Sequence, residues 1–265
     1  MVRIDRKMKN ERILEVLIVM LIIPFVSLLV GYFISRDIVE PNLPKPKDSA
    51  NFKEVTVKGI DLFEVVLSSY SDFETVKYHE DLMRVKGIYS FISKDSDKYL
   101  LIGGVFLDKE QATLCSSSLE ASGIFSEVSV KKGPSIKIGY DKKLTSEMDD
   151  FINKLHDFRQ ICEYMSAISY KAFNDKTIEE KELGELKARI ENFLDNNSGN
   201  FNEEKVSKIK GKVTDIVNKM ATDIKKIEIS AALQDKSTFS LLQQLLWQSC
   251  EEYNDFLKII AIQNQ

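Results

Sequence analysis

Histidine is nearly missing from this chain: His79 and His156 are the only two in 265 residues. Zinc hydrolases gather His and carboxylate ligands at one centre, and two widely separated histidines do not supply that. No GxSxG, P-loop or Cys–His arrangement occurs. No enzyme, metal or cofactor is therefore expected. Cysteine is almost as scarce. Cys115, Cys162 and Cys250 form no CxxC, and their odd number is not the framework of a small disulfide-stapled domain. The simplest reading is three small buried residues. An excess of basic charge is also lacking, since Lys and Arg number 37 against 41 Asp and Glu, for a net charge of −4. The first twelve residues alone carry +3, from Arg3, Arg6, Lys7, Lys9 and Arg12 against Asp5 and Glu11, which leaves −7 for the remainder. So acidic a body is poorly suited to phosphate contacts, and no nucleic-acid partner is expected.

Long apolar runs are rare too, with one exception. Val16 to Ile34 reads VLIVMLIIPFVSLLVGYFI, nineteen residues without a charge. As a helix it would span roughly 28 Å, close to a bilayer core of about 30 Å. Pro24 is tolerated in such a span, and no small-x-small cleavage site follows. The reading is a membrane contact through residues 16–34, with a basic cytoplasmic tail (1–12) and a transmembrane helix (13–35). A Pro-containing linker (36–54) carries Pro41, Pro44 and Pro46. Basic residues ahead of the span keep the N-terminus cytoplasmic and place the rest outside, a single-pass arrangement.

What is abundant is internal repetition. Phe63–Ser93 and Tyr99–Ser129 align without a gap at a period of 36 residues. The copies share Asp72/Asp108, Glu74/Glu110, Gly87/Gly123, Ile88/Ile124, Ser90/Ser126 and Ser93/Ser129. Each reads as a β-prone run, an Asp at the helix N-cap, and Glu in the first turn where the helix dipole favours it. Apolar residues at helical spacing follow, then Gly where a helix closes left-handed, and a second β-prone run. Two β-α-β units in tandem give βαββαβ, a four-stranded antiparallel sheet with both helices on one face. This domain is expected over residues 55–134.

The residues narrow the fold further. Gly104-Val105-Phe106, Glu110-Gln111-Ala112, Leu119 and Gly123 in the second copy, with Val65, Tyr70, Glu74, Met83 and Gly87 in the first, resemble the SPOR (sporulation-related repeat) domain. The resemblance covers about 75 of the 265 residues. It implies binding to peptidoglycan, specifically glycan strands stripped of stem peptides, by a membrane-anchored protein of cell division or sporulation. It also implies that the open sheet face makes the contact.

Alternation along the strands points Phe63, Val65, Leu67, Tyr99, Leu101 and Val105 at the two helices. The opposite face then carries Glu64, Val66, Ser68, Tyr89, Phe91, Lys98, Leu100, Ile102, Gly104, Glu127 and Ser129. The first eight of these are the candidate glycan-binding residues, since aromatic and small polar groups together suit a sugar ring. The sequence departs from the family pattern in three places. Val66 stands where a Gln is common, Leu100 where an Arg is common, and Ser68 where the first-half glycine falls. Val66, Leu100 and Ile102 make an apolar patch that favours being covered. The alternative reading is therefore a structural adaptor whose sheet no longer binds glycan and packs on its own helices or on a protein partner.

From Leu144 onward the period becomes about 3.5. Leu144, Met148, Phe151, Leu155, Phe158, Cys162 and Met165 form the first stripe; Leu183, Leu186, Ile190 and Phe193 the second. Val206, Ile209, Val213, Ile216 and Met220 form the third; Leu242, Leu245, Ser249, Tyr253, Phe256 and Ile260 the fourth. A box at Thr177-x-x-Glu180 and breaks near Asn196–Asn202 and Asp235–Ser237 punctuate them. The reading is an antiparallel four-helix bundle over residues 143–265. A protein partner for these helices is possible, the helix with Trp247 being the candidate. The fold class as a whole is α+β, with one N-terminal transmembrane helix.

Overall fold

The computed structural model describes residues 52–175, 178–196, 204–233, 235 and 237–262. Residues from Lys53 to Gln265 form one compact unit. In chain order its elements are β1 (Phe52–Lys58), β2 (Leu62–Tyr70), α1 (Phe73–Val85), β3 (Phe91–Asp95), β4 (Lys98–Phe106), α2 (Lys109–Ala121), β5 (Glu127–Lys131) and β6 (Ser135–Asp141). A 3-10 turn at Lys142–Leu144 leads into α3 (Thr145–Asp175), α4 (Glu180–Asp195), α5 (Glu204–Ala232) and α6 (Thr238–Ile262).

The expected βαββαβ order is present in β2-α1-β3-β4-α2-β5, and its four strands form one antiparallel sheet in the order β3-β4-β2-β5. The two copies are closed by the same chemistry. Asp72 Oδ1 accepts from the Thr75 N–H at 2.7 Å, and Asp108 Oδ1 from the Glu110 N–H at 2.7 Å. Gly87 and Gly123 have φ of 79° and 78°. Beyond them the Ile88 N–H donates to Met83 O and the Ile124 N–H to Leu119 O, at 2.9 and 3.0 Å, a Schellman closure in each copy.

Two corrections apply to the expected fold. First, the described residues form six strands in two sheets: β1 and β6 pair as a separate ribbon. Second, among the described residues no helix is long and apolar enough to cross a membrane. The long helices α3, α5 and α6 each bury one stripe and expose charge along the other side, which disqualifies them as spans. The run Val16–Ile34, and with it the linker, lies outside the described residues. The transmembrane helix of the expected fold and the single-pass placement that rested on it are therefore both withdrawn.

The core lies on both faces of the four-stranded sheet. On one face Val65, Leu67, Leu101 and Phe106 pack with Val76 of α1 and Ala112, Cys115 and Leu119 of α2. On the other, Leu62, Val66, Phe91, Ile102 and Val105 join a larger cluster supplied by the four C-terminal helices and the ribbon. The stripes read at 3.5-residue spacing are buried in that cluster, including Met148, Phe151, Phe158, Cys162, Met165, Leu186, Ile190, Val213, Ile216, Leu242 and Tyr253. The capping box at the start of α4 sits two residues later than expected. The Glu179 N–H donates to Glu182 Oε2 at 3.0 Å, and Thr177 lies outside the described residues.

Strict alternation fails at one point. Val65 pairs with Gly104 and Val66 with Ile102, which leaves Gly103 unopposed; Ser68 then pairs with Leu101, which leaves Leu67 unopposed. A bulge on each strand inverts the facing beyond it. Val105, expected against α1 and α2, instead faces the C-terminal helices, and Gly104 lies towards Phe106 and Cys115. A Cβ on Gly103 would stand 2.9 Å from Leu67 Cδ2, so a larger residue there would require the Leu67 side chain to move.

Candidate functional site: the roofed sheet face

The face expected to be open is roofed. Helices α6 and α3 both pack across β4, and α6 also meets β3. Their docking is polar as well as apolar. Gln243 Oε1 of α6 accepts from the Val105 N–H, and Ser166 Oγ of α3 accepts from the Leu107 N–H at 3.0 Å. These are bonds from strand β4 and the residue after it to helix side chains. At the sheet's margin the Asn254 carboxamide closes two bonds on one residue: Oδ1 accepts from the Ile60 N–H and Nδ2 donates to Ile60 O, each at 2.8 Å. Arg159 Nη2 donates to Gly59 O at 3.0 Å.

Towards the β5 edge of the roof lies an ionic cluster built on one buried carboxylate, its other members half-buried. Glu64, 0% exposed, accepts from Trp247 Nε1–H at 2.6 Å. Lys131 Nζ stands 3.5 Å from Glu64 Oε1 and 3.2 Å from Glu251 Oε2, and 5.1 Å from the centre of the Trp247 ring. The Trp247 and Phe91 rings lie 6.1 Å apart. Burial raises the Glu64 carboxyl above its usual range, partly opposed by Lys131 and the Trp247 N–H. Burial pulls Lys131 down, but Glu64 and Glu251 outweigh it and hold the ammonium above its usual value. Glu64 Oε2 and Gln243 Nε2 have no hydrogen-bond partner.

The eight candidate residues divide accordingly. Glu64, Val66, Phe91 and Ile102 are buried beneath the roof, at 0, 5, 4 and 0% exposure, and Leu100 packs half-buried against the same cluster. Ser68 is half-buried and Lys98 is exposed at the sheet's end. Tyr89 precedes β3 and lines a cavity of about 770 Å³ at the glycine ends of α1 and α2, together with Phe173 and Phe239. The structure therefore brings Glu64, Val66, Phe91, Leu100 and Ile102 together and sets Tyr89 and Lys98 apart. Sequence reasoning missed Lys131, Gln243 and Asn254, and it read Glu251, paired with Glu252 beside basic neighbours, as part of a solvated helix face rather than a partner of Lys131. Polar residues within the apolar stripe of α6 were the available signal, since Gln243, Ser249 and Asn254 are all buried. Among the described residues no group of three or more His, Cys, Asp or Glu is placed to hold a metal ion.

No family model matches this chain, and no curated protein matches it. One similar solved structure is the solution structure of the peptidoglycan binding domain of the B. subtilis cell wall lytic enzyme CwlC. It is 16% identical over 29% of this chain and 96% of that one, with a TM-score of 0.26. A likeness of that degree carries neither fold nor ligand across.

Proposed function

We propose that this chain is a non-enzymatic structural adaptor, in which a SPOR-like βαββαβ unit is built into a helical scaffold and its glycan-facing surface is occupied in cis. One observation carries this reading: Glu64, Val66, Phe91 and Ile102, the centre of the face a glycan strand would need, lie at 5% exposure or less beneath α6 and α3. A sugar reaching them would have to displace Trp247 from Glu64 and Gln243 from the β4 backbone. The departures at Val66 and Leu100 support the same reading; Ser68, beyond the bulge, pairs with Leu101 and shares its face towards α1 and α2. An apolar strand face is what a helix roof needs, and it offers a saccharide rim few hydrogen bonds. The outward surfaces of the helices are then left for a protein partner.

Co-sedimentation of the full chain with peptidoglycan sacculi, before and after amidase removal of stem peptides, tests this. The adaptor reading expects equally weak retention on both preparations. Retention that rises on amidase treatment and falls in a Tyr89→Ala or a Lys98→Ala variant, at opposite ends of β3, would overturn it in favour of glycan binding at a margin of the sheet that the roof leaves uncovered.

A further inference from the structure

Cys162 and Cys250 are 0% exposed and sit on α3 and α6, the two helices that roof the sheet. Two ring contacts set the register of this helix pair. Phe173 meets Phe239 at 6.3 Å, and Phe158 meets Tyr253 at 5.2 Å, so the helices run antiparallel. Eleven residues back from Phe173 is Cys162, and eleven on from Phe239 is Cys250. Eleven residues are close to three turns, so both cysteines return to the facing sides, opposite each other. Both belong to one contiguous cluster, whereas Cys115 lies in the separate cluster on the far side of the sheet. In keeping with this, contact with Cys162 and then burial push the Cys250 thiol well above its usual value. The structure holds all three cysteines as free thiols.

We propose that Cys162 and Cys250 are a cross-linking site, closed to a disulfide by exchange with a small-molecule disulfide while the chain folds, so that α3 is stapled to α6. The inference does not rest on the adaptor reading. A thiolate of one cysteine attacks the reagent's S–S bond, forming a mixed disulfide and releasing one thiol. The other thiolate attacks the protein sulfur of that mixed disulfide and releases the second thiol. The two cysteines lose two protons and two electrons, and the reagent disulfide is reduced to two thiols. The bond closes a loop between positions 88 residues apart that contains α4 and α5. Exchange needs thiolate. The folded, reduced protein, with these thiols buried and the one at Cys250 raised, therefore reacts slowly, and the site closes during folding.

The test is refolding of the reduced full chain in oxidised and reduced glutathione, quenching with an alkylating agent, and mapping the peptides by mass spectrometry. The expected product has lost two hydrogens, links Cys162 to Cys250, and is alkylated at Cys115 alone. A parallel reaction in denaturant should give the same link at a yield at least about tenfold lower, since the helices no longer hold the sulfurs together. A Cys115→Ser variant, which keeps both members of the pair, should cross-link as the parent does. Alkylation of all three cysteines, a link through Cys115, or equal yields with and without denaturant would each overturn the proposal.

Discussion

An ionised carboxylate removed from water is stabilised only by close partners, and Glu64 has two of unequal kind. The Trp247 N–H is a direct donor at 2.6 Å, while the Lys131 ammonium stands at 3.5 Å and is shared with Glu251. With Oε2 unpartnered, burial outweighs both and the carboxyl is raised. A group whose pKa is raised on folding contributes most below its unfolded value, near 4.5, and loses that contribution as pH rises through the folded value. Glu64→Gln keeps an oxygen for Trp247 and removes the titration. Urea unfolding between pH 4.5 and 8 should show the parent losing ground to the variant as pH increases; a constant difference would mean that Glu64 stays charged throughout. The partners of Glu64 were not legible in the sequence. Alternation placed Glu64 correctly on the face away from α1 and α2, but nothing local announced that a Trp 183 positions away would cover it.

At the scale of elements, the paired glycines make sharper claims than the strands. Gly123 sits at φ of 78° with no neighbour in the way of a side chain, so a methyl group there costs backbone strain alone. Gly184 and Gly211 lie inside α4 and α5, are exposed, and also have open space around them. Gly123→Ala should destabilise by about 1–2 kcal/mol, whereas Gly184→Ala and Gly211→Ala should each stabilise by roughly 0.5–1 kcal/mol. Chemical denaturation midpoints of the three variants check the signs. The repeat was legible because cap, dipole and glycine signals recur in register, and the long helices because their stripes are uninterrupted. The bulges were not: two consecutive glycines at 103 and 104 fit either facing equally well until Leu67 and Phe106 fill the space beside them. The ribbon strand β6 was overlooked although Ile136, Ile138 and Tyr140 alternate as a half-buried strand should. Its partner is distant in sequence, and no turn joins them.

In the whole molecule the four-stranded sheet is buried on both faces. Burying Leu62, Val66, Phe91, Ile102 and Val105 under the helices is worth about 10 kcal/mol, comparable to the whole stability of many domains. The apolar trio at Val66, Leu100 and Ile102 was the clue to this, since a wet sheet face would not carry it. The ribbon has a kinetic consequence. Its strands meet where the Gly59 N–H donates to Pro134 O at 2.6 Å, 75 positions apart in the chain. That closure becomes inexpensive only after β2 and β5 have drawn Leu62 alongside Lys131. The ribbon should therefore assemble late, after the rate-limiting barrier. Ile138→Val, trimming a residue 1% exposed in the ribbon, should lower stability by about 1 kcal/mol. Stopped-flow chevrons should register that loss almost entirely as faster unfolding, with the refolding limb unmoved. A slowed refolding limb would put the ribbon among the first contacts to form. If the ribbon is late, β1 and β6, which flank the βαββαβ unit on either side in the chain, are also the first strands to come apart.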